Sequence, residues 1–155
     1  MNTFLPYPDY ATSAAALDRQ RLGKQRVEVL QILIALSRGP GAPWYSHAAT
    51  RMWLGHERQL AAYGLAVCAE WILRGYRDTC AGKIADVVSA AAFPASSGAK
   101  PAWLGNEALH LAYRSNLVRK APEHYRRLWP DVPDDLPYVW PVPLAAKLKL
   151  EEVVS

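Results

Sequence analysis

The side chains with the most chemical potential lie in one stretch, Leu17-Asp18-Arg19-Gln20-Arg21-Leu22-Gly23-Lys24-Gln25-Arg26-Val27-Glu28, where four cations and two carboxylates stand within twelve positions. Cations at this density attract phosphates, and a carboxylate among them is suited to stabilising a positive centre as it develops. At about 100° per residue on a helix, Arg21, Lys24 and Glu28 share one face, opposite an arc of Leu22, Val29, Leu30, Leu33 and Ile34. Glu28, one turn beyond Lys24, also fits an ordinary surface ion pair, so both readings stay open. Arg19 and Arg26 point toward the apolar arc, where an unpaired guanidinium is costly. They must either meet a buried carboxylate or line a cleft.

Further candidates are sparser. Glu107, His110 and Arg114, spaced i, i+3 and i+7, form one row on a later helix, either facing a ligand or making a hydrogen-bonded ladder. His47 and His56 stand near Trp44 and Trp53, a setting that fits packed imidazoles. Cys68 and Cys80 form neither a CxxC pair nor a Cys/His set, so reduced core thiols are expected and a metal site is not. The chain also lacks a P-loop, a dinucleotide fingerprint, a nucleophile elbow and an HExxH pair. With no metal or cofactor expected, carboxylates, amines and histidines remain to carry a reaction.

These residues must be positioned by helices. Residues 1–11, with Pro6, Pro8 and three aromatics, favour an extended arm. Thr12 or Ser13 can cap a first long helix, which runs without proline to Ser37 and ends at Arg38-Gly39-Pro40-Gly41. Ser46 can cap a short helix reaching Trp53. A second long helix spans His56 to Arg74, with Leu60, Tyr63, Gly64, Val67 and Trp71 at three- and four-residue spacing and Gly75 as its terminator. Cys80 to Phe93 reads as a shorter helix, and residues 94–102 as a loop. Asn106 can cap a third main helix to Lys120, followed by a short helix that starts at Pro122. From Pro130 to Pro143 five prolines exclude helix or central strand, so this segment should wrap over the body, held by its aromatics. Residues 144–155 return to helical periodicity.

No strand alternation, internal repeat or composition break interrupts this pattern. The expected fold is all-α: a single domain over 1–155, with an arm (1–11), a helical body (12–129) of three main helices plus short ones, and a proline-rich segment and tail (130–155). At 51% hydrophobic residues, 155 positions can bury a core without disulfides. No run approaches the roughly 20 apolar residues of a membrane span, so a soluble, cytoplasmic protein is expected, and it is taken as a monomer. Net charge is +4 and the pI near 9.2, a modest excess that matters only where it clusters. It does so at Arg19–Arg26 and again at Arg114, Arg119, Lys120, Arg126 and Arg127.

The order of three segments resembles the pyrimidine-dimer DNA glycosylases of the phage endonuclease V type. Gln20-Arg21-Leu22-Gly23-Lys24-Gln25-Arg26-Val27-Glu28 is similar to that family's catalytic helix, with Glu28 on the catalytic glutamate and Val27 in place of an arginine. Ala69-Glu70-Trp71-Ile72-Leu73-Arg74-Gly75-Tyr76 is similar to the end of its second long helix, and Asn106 to Tyr125 to its last helix, which ends in an aromatic near DNA. The resemblance implies a compact three-helix domain acting on damaged double-stranded DNA. It further implies attack of an amine on the sugar C1′, an imine, and strand cutting by β-elimination, with the target base extruded.

An amine nucleophile must be unprotonated, which an α-amino group (pKa about 7.7–8.0) meets better than lysine (about 10.4). Family members expose threonine after losing methionine, whereas Asn2 leaves Met1 in place. The expected amine is therefore that of Met1, or Lys24 crowded by Arg21 and Arg26. Arg21, Arg26, Arg114, Arg119, Lys120 and Tyr125 are expected to meet DNA. Two alternatives remain: a non-catalytic nucleic-acid-binding module on the same scaffold, and an enzyme binding a small anionic metabolite between Arg19 and Arg26.

Overall fold

The structure, a computed structural model, describes residues 1–141. Among these residues it is all-helical, in the order α1 (Tyr10–Ala16), α2 (Arg19–Arg38), α3 (Ala48–Arg51), α4 (Glu57–Leu73), α5 (Cys80–Ala91), a 3-10 turn (Ala95–Gly98), α6 (Glu107–Lys120) and α7 (Pro122–Leu128). The expected all-α class is observed. Three main helices, α2, α4 and α6, carry the core, and no helix among the described residues is long and apolar enough to cross a membrane. The helical periodicity of residues 144–155 lies outside the described residues.

The first long helix of the sequence reading is two helices. Leu17 and Asp18 are both extended, and α1 starts earlier than expected because Asp9, not Thr12 or Ser13, accepts the capping bond, from the Thr12 N–H at 2.8 Å. Side chains distant in sequence satisfy the backbone groups freed by the break. Arg74 donates to the Leu17 carbonyl at 2.7 Å, and the Asp18 N–H donates to the Tyr125 hydroxyl at 3.0 Å. The expected Ser46 cap is likewise replaced: His47 precedes α3 and its Nδ1 accepts from the Ala49 N–H at 3.1 Å.

The N-terminal arm is extended as expected, and it runs through the core. Thr3 and Leu5 are fully buried, and Asn2 and Phe4 nearly so. An extended strand with no sheet leaves its polar groups unpaired, and here side chains take that role. Trp53 donates to the Thr3 hydroxyl, Tyr63 to the Phe4 carbonyl at 2.6 Å, and Arg114 to the Pro6 carbonyl at 2.7 Å.

Helix α2 meets α4 and α5 at Gly64. A Cβ there would stand 2.5 Å from Val29 Cγ1 and 3.0 Å from Ile84 Cδ1, both on fully buried side chains. Gly64→Ala gains about 1 kcal/mol in helix propensity and loses about 1–3 kcal/mol to overpacking. Thermal denaturation should therefore show a lower melting temperature. A higher one would mean that this helix contact yields without cost.

Candidate active site

Helix α2 turns its polar face toward the arm, and Glu28 is where the two meet. Its Oε2 accepts hydrogen bonds from the Asn2 backbone N–H and from Gln25 Nε2, both at 3.1 Å. No ion pair between Glu28 and Lys24 forms among the described residues, so the carboxylate is held by the arm rather than by its helical neighbour.

The holding group is Gln25, fully buried and missed by the sequence reading. Its Oε1 accepts from the Phe4 N–H at 2.9 Å and, at 2.8 Å, shares the single Tyr63 hydroxyl proton with the Phe4 carbonyl, while Nε2 donates to the Asn2 carbonyl at 2.9 Å and to Glu28. One amide thus uses both ends, in four bonds, to fix the arm against the carboxylate. A signal was present: Gln25 stands three residues after Leu22 and four before Val29, on the buried stripe of α2. Burial pushes the Tyr63 hydroxyl well above its usual pKa, which keeps it a neutral donor in this network.

A cavity of about 400 Å³ opens over Glu28. Met1, Asn2 and Phe4 of the arm, Gln20, Arg21 and Lys24 of α2, Lys120 at the end of α6, and His47, Tyr138 and Trp140 complete its lining. It brings together five of the residues proposed from sequence: Met1, Arg21, Lys24, Glu28 and Lys120. Tyr138 and Trp140 were not foreseen, because they come from the proline-rich segment, whose path no periodicity encodes, and His47 reads from the sequence as a packed imidazole. On the other flank of α2 a groove of about 870 Å³ shares Gln20, Lys24 and Glu28 and is floored by Trp71. The Trp71 ring packs on Gly23, where a Cβ would lie 3.2 Å from it.

The other expected DNA-contacting residues do not line the cavity. Arg26 pairs with Asp78 at 2.8 Å and lies over the Trp71 ring at 4.3 Å. This is the buried-carboxylate alternative raised for it from sequence. Burial works to raise the Asp78 carboxyl, but hydrogen bonds from Arg26 and from the Ala81 and Cys80 N–H groups outweigh it and hold the pKa below the usual range. Arg19 lies over Tyr76 and does not share a cleft with Arg26. Tyr125 is fully buried, so it has no surface to offer DNA. Its hydroxyl donates instead to Asp18, whose carboxyl stays below its usual range because the Tyr125 and Arg21 bonds exceed the cost of burial. Arg119 donates to the Asp134 carbonyl at 3.1 Å and to Asn116.

The row Glu107, His110 and Arg114 is a ladder that grips the arm. Arg114 pairs with Glu107 and donates to Pro6, and fully buried His110 joins the Leu5 carbonyl through Nδ1 at 2.8 Å. His110 Nε2 accepts from the Gly105 N–H at 2.9 Å, so the ring is neutral with its proton on Nδ1. Desolvation, with Arg114 nearby, lowers its pKa against the opposing bond to Leu5. An unfolded histidine protonates near pH 6.5, so below that value the unfolded chain binds the proton first. Stability is therefore full above about pH 6.5 and declines as pH falls toward the folded pKa. Urea denaturation at pH 7 and pH 5.5 should show a larger loss for the native chain than for His110→Gln, and equal losses would refute the buried neutral ring.

No curated protein and no solved structure matches the chain. A family model described as pyrimidine dimer DNA glycosylase matches residues 1–83. That span holds the arm, α1 to α4, Gln25 and the Arg26–Asp78 pair, and it includes Glu28 and the other cavity-lining residues up to His47. Since the match takes in more than half of the 155 residues, this chain belongs to the pyrimidine dimer DNA glycosylase family.

Proposed function

We propose that this protein removes damaged pyrimidines from double-stranded DNA and then cuts the strand, using an amine from its arm and the Glu28 carboxylate. The observation that carries this reading is the 3.1 Å bond between the Asn2 main-chain nitrogen and Glu28 Oε2. A chain starting at residue 2 would place its α-amine directly on the carboxylate. Met1 itself is among the residues that line the same cavity, which supports its amine as the nucleophile of a chain that starts there. Lys24 is the alternative amine on that wall.

In the proposed reaction the amine nitrogen bonds to C1′ as the bond from C1′ to the base breaks, and the base leaves with a proton. Loss of the nitrogen's proton and opening of the sugar ring give a C=N imine. Removal of a C2′ proton then expels the 3′ phosphate oxygen. Glu28 stabilises the positive charge that builds at the sugar, a role suited to a carboxylate fixed beforehand by two donors. Arg21, Lys24 and Lys120 would meet phosphates around the cavity. The exposed part of Arg119 can extend that contact, while Arg26 and Arg114 support it from within.

Borohydride reduction tests the imine. Incubation with duplexes carrying a cyclobutane dimer or an abasic site should trap a covalent adduct, and peptide mapping should place it on residue 1, residue 2 or Lys24. No adduct with either duplex would overturn the mechanism. Salt-sensitive DNA binding without an adduct would favour the non-catalytic module instead.

A further inference from the structure

The loop between α2 and α3, residues 39–47, presents a side chain that folding does not explain. Trp44 is the one exposed large aromatic among the described residues, with 53% of its surface in solvent. Its backbone φ is +69°, a region that bulky L-residues rarely adopt and that glycine enters freely. The surrounding loop already uses Gly39 and Gly41 at positive φ, so the unusual feature is tryptophan at position 44.

The ring is not isolated from the site. Trp44 meets His47 edge-on at 6.1 Å, His47 meets Trp140 at 6.3 Å, and Trp140 meets Tyr138 at 5.6 Å. The last three line the cavity over Glu28 together with Arg21, Lys24 and Lys120. An aromatic row thus runs from the cavity wall outward to Trp44, beside cations that suit a phosphate backbone. A phosphate has no use for an indole face, whereas a nucleobase does, since every base presents a π surface.

We propose that Trp44 stacks on a nucleobase of bound DNA at the mouth of the Glu28 cavity. This rests on the DNA reading given above. Stacking needs no particular base, so the contact adds affinity and registers the strand without reading sequence. The disfavoured backbone is retained because it presents the ring outward.

The test measures affinity of the full chain for a duplex containing a tetrahydrofuran abasic analogue, over a range of salt, for the native protein and for Trp44→Ala, Trp44→Phe and Trp44→Gly. Trp44→Ala and Trp44→Gly should bind on the order of tenfold more weakly, and Trp44→Phe should keep most of the affinity. The slope of log affinity against log salt should not change, because no phosphate contact is lost. The melting temperature of Trp44→Gly should match or exceed that of the native chain. Unchanged affinity in Trp44→Ala, equal loss in Trp44→Phe, or a loss that tracks a lowered melting temperature would overturn the proposal. Failure of the native chain itself to bind the duplex would instead overturn the DNA reading beneath it.

Discussion

Glu28→Gln should reduce strand cutting by about 10²- to 10³-fold while duplex affinity is retained. The amide keeps the shape of the carboxylate and one oxygen that can still accept from the Asn2 N–H or from Gln25. It has no negative charge with which to stabilise the sugar as the base departs. Arg21, Lys24 and Lys120 surround the same cavity, so removing an anion leaves their attraction for phosphate intact or stronger. Single-turnover cutting of an abasic duplex, paired with fluorescence anisotropy for binding, separates the two effects. Native-like cutting in this variant would remove Glu28 from the mechanism, and lost binding would recast it as a structural group.

Gln25→Ala should cost about 3 kcal/mol of stability. The substitution takes away four hydrogen bonds and leaves the Phe4 N–H and the Asn2 carbonyl without partners in a fully or nearly buried setting. Each abandoned buried group costs about 1–3 kcal/mol, against a total domain stability of about 5–15 kcal/mol. The denaturation midpoint should fall accordingly. Cutting should also fall under conditions where the variant stays folded, because the arm loses its register against Glu28 and with it the placement of the amine. A midpoint equal to that of the native chain would show that the arm is held by its other contacts, to Tyr63, His110 and Arg114, and that Gln25 is dispensable.

These two residues also mark how far the sequence could be read. The place of Glu28 on the polar face of α2 was legible because charge density and helical spacing are local properties, while the role proposed for it comes from the family resemblance. Gln25 was legible in principle, since a polar residue on an apolar stripe signals a buried partner. What it bonds to was not, because Asn2, Phe4 and Tyr63 meet it only after the chain has folded. Arg26 illustrates the same limit: its inward direction followed from the helical wheel, but the choice of Asp78, 52 residues away, did not.

The sequence by itself determined the all-helical class, the approximate ends of α4 and α6, the extended state of the arm and the charged face of α2. Each depends on side-chain periodicity, proline geometry or capping within a few residues. Only the tertiary structure decided that α1 and α2 are separate helices, since the apolar pattern continues through Leu17 and the compensating bonds come from Arg74 and Tyr125. Only it decided that the arm is threaded through the core, where side chains replace a missing sheet partner. It also decided that Tyr138 and Trp140 close the cavity over Glu28, because a proline-rich segment has no period to reveal its path and takes its direction from the surface on which it packs.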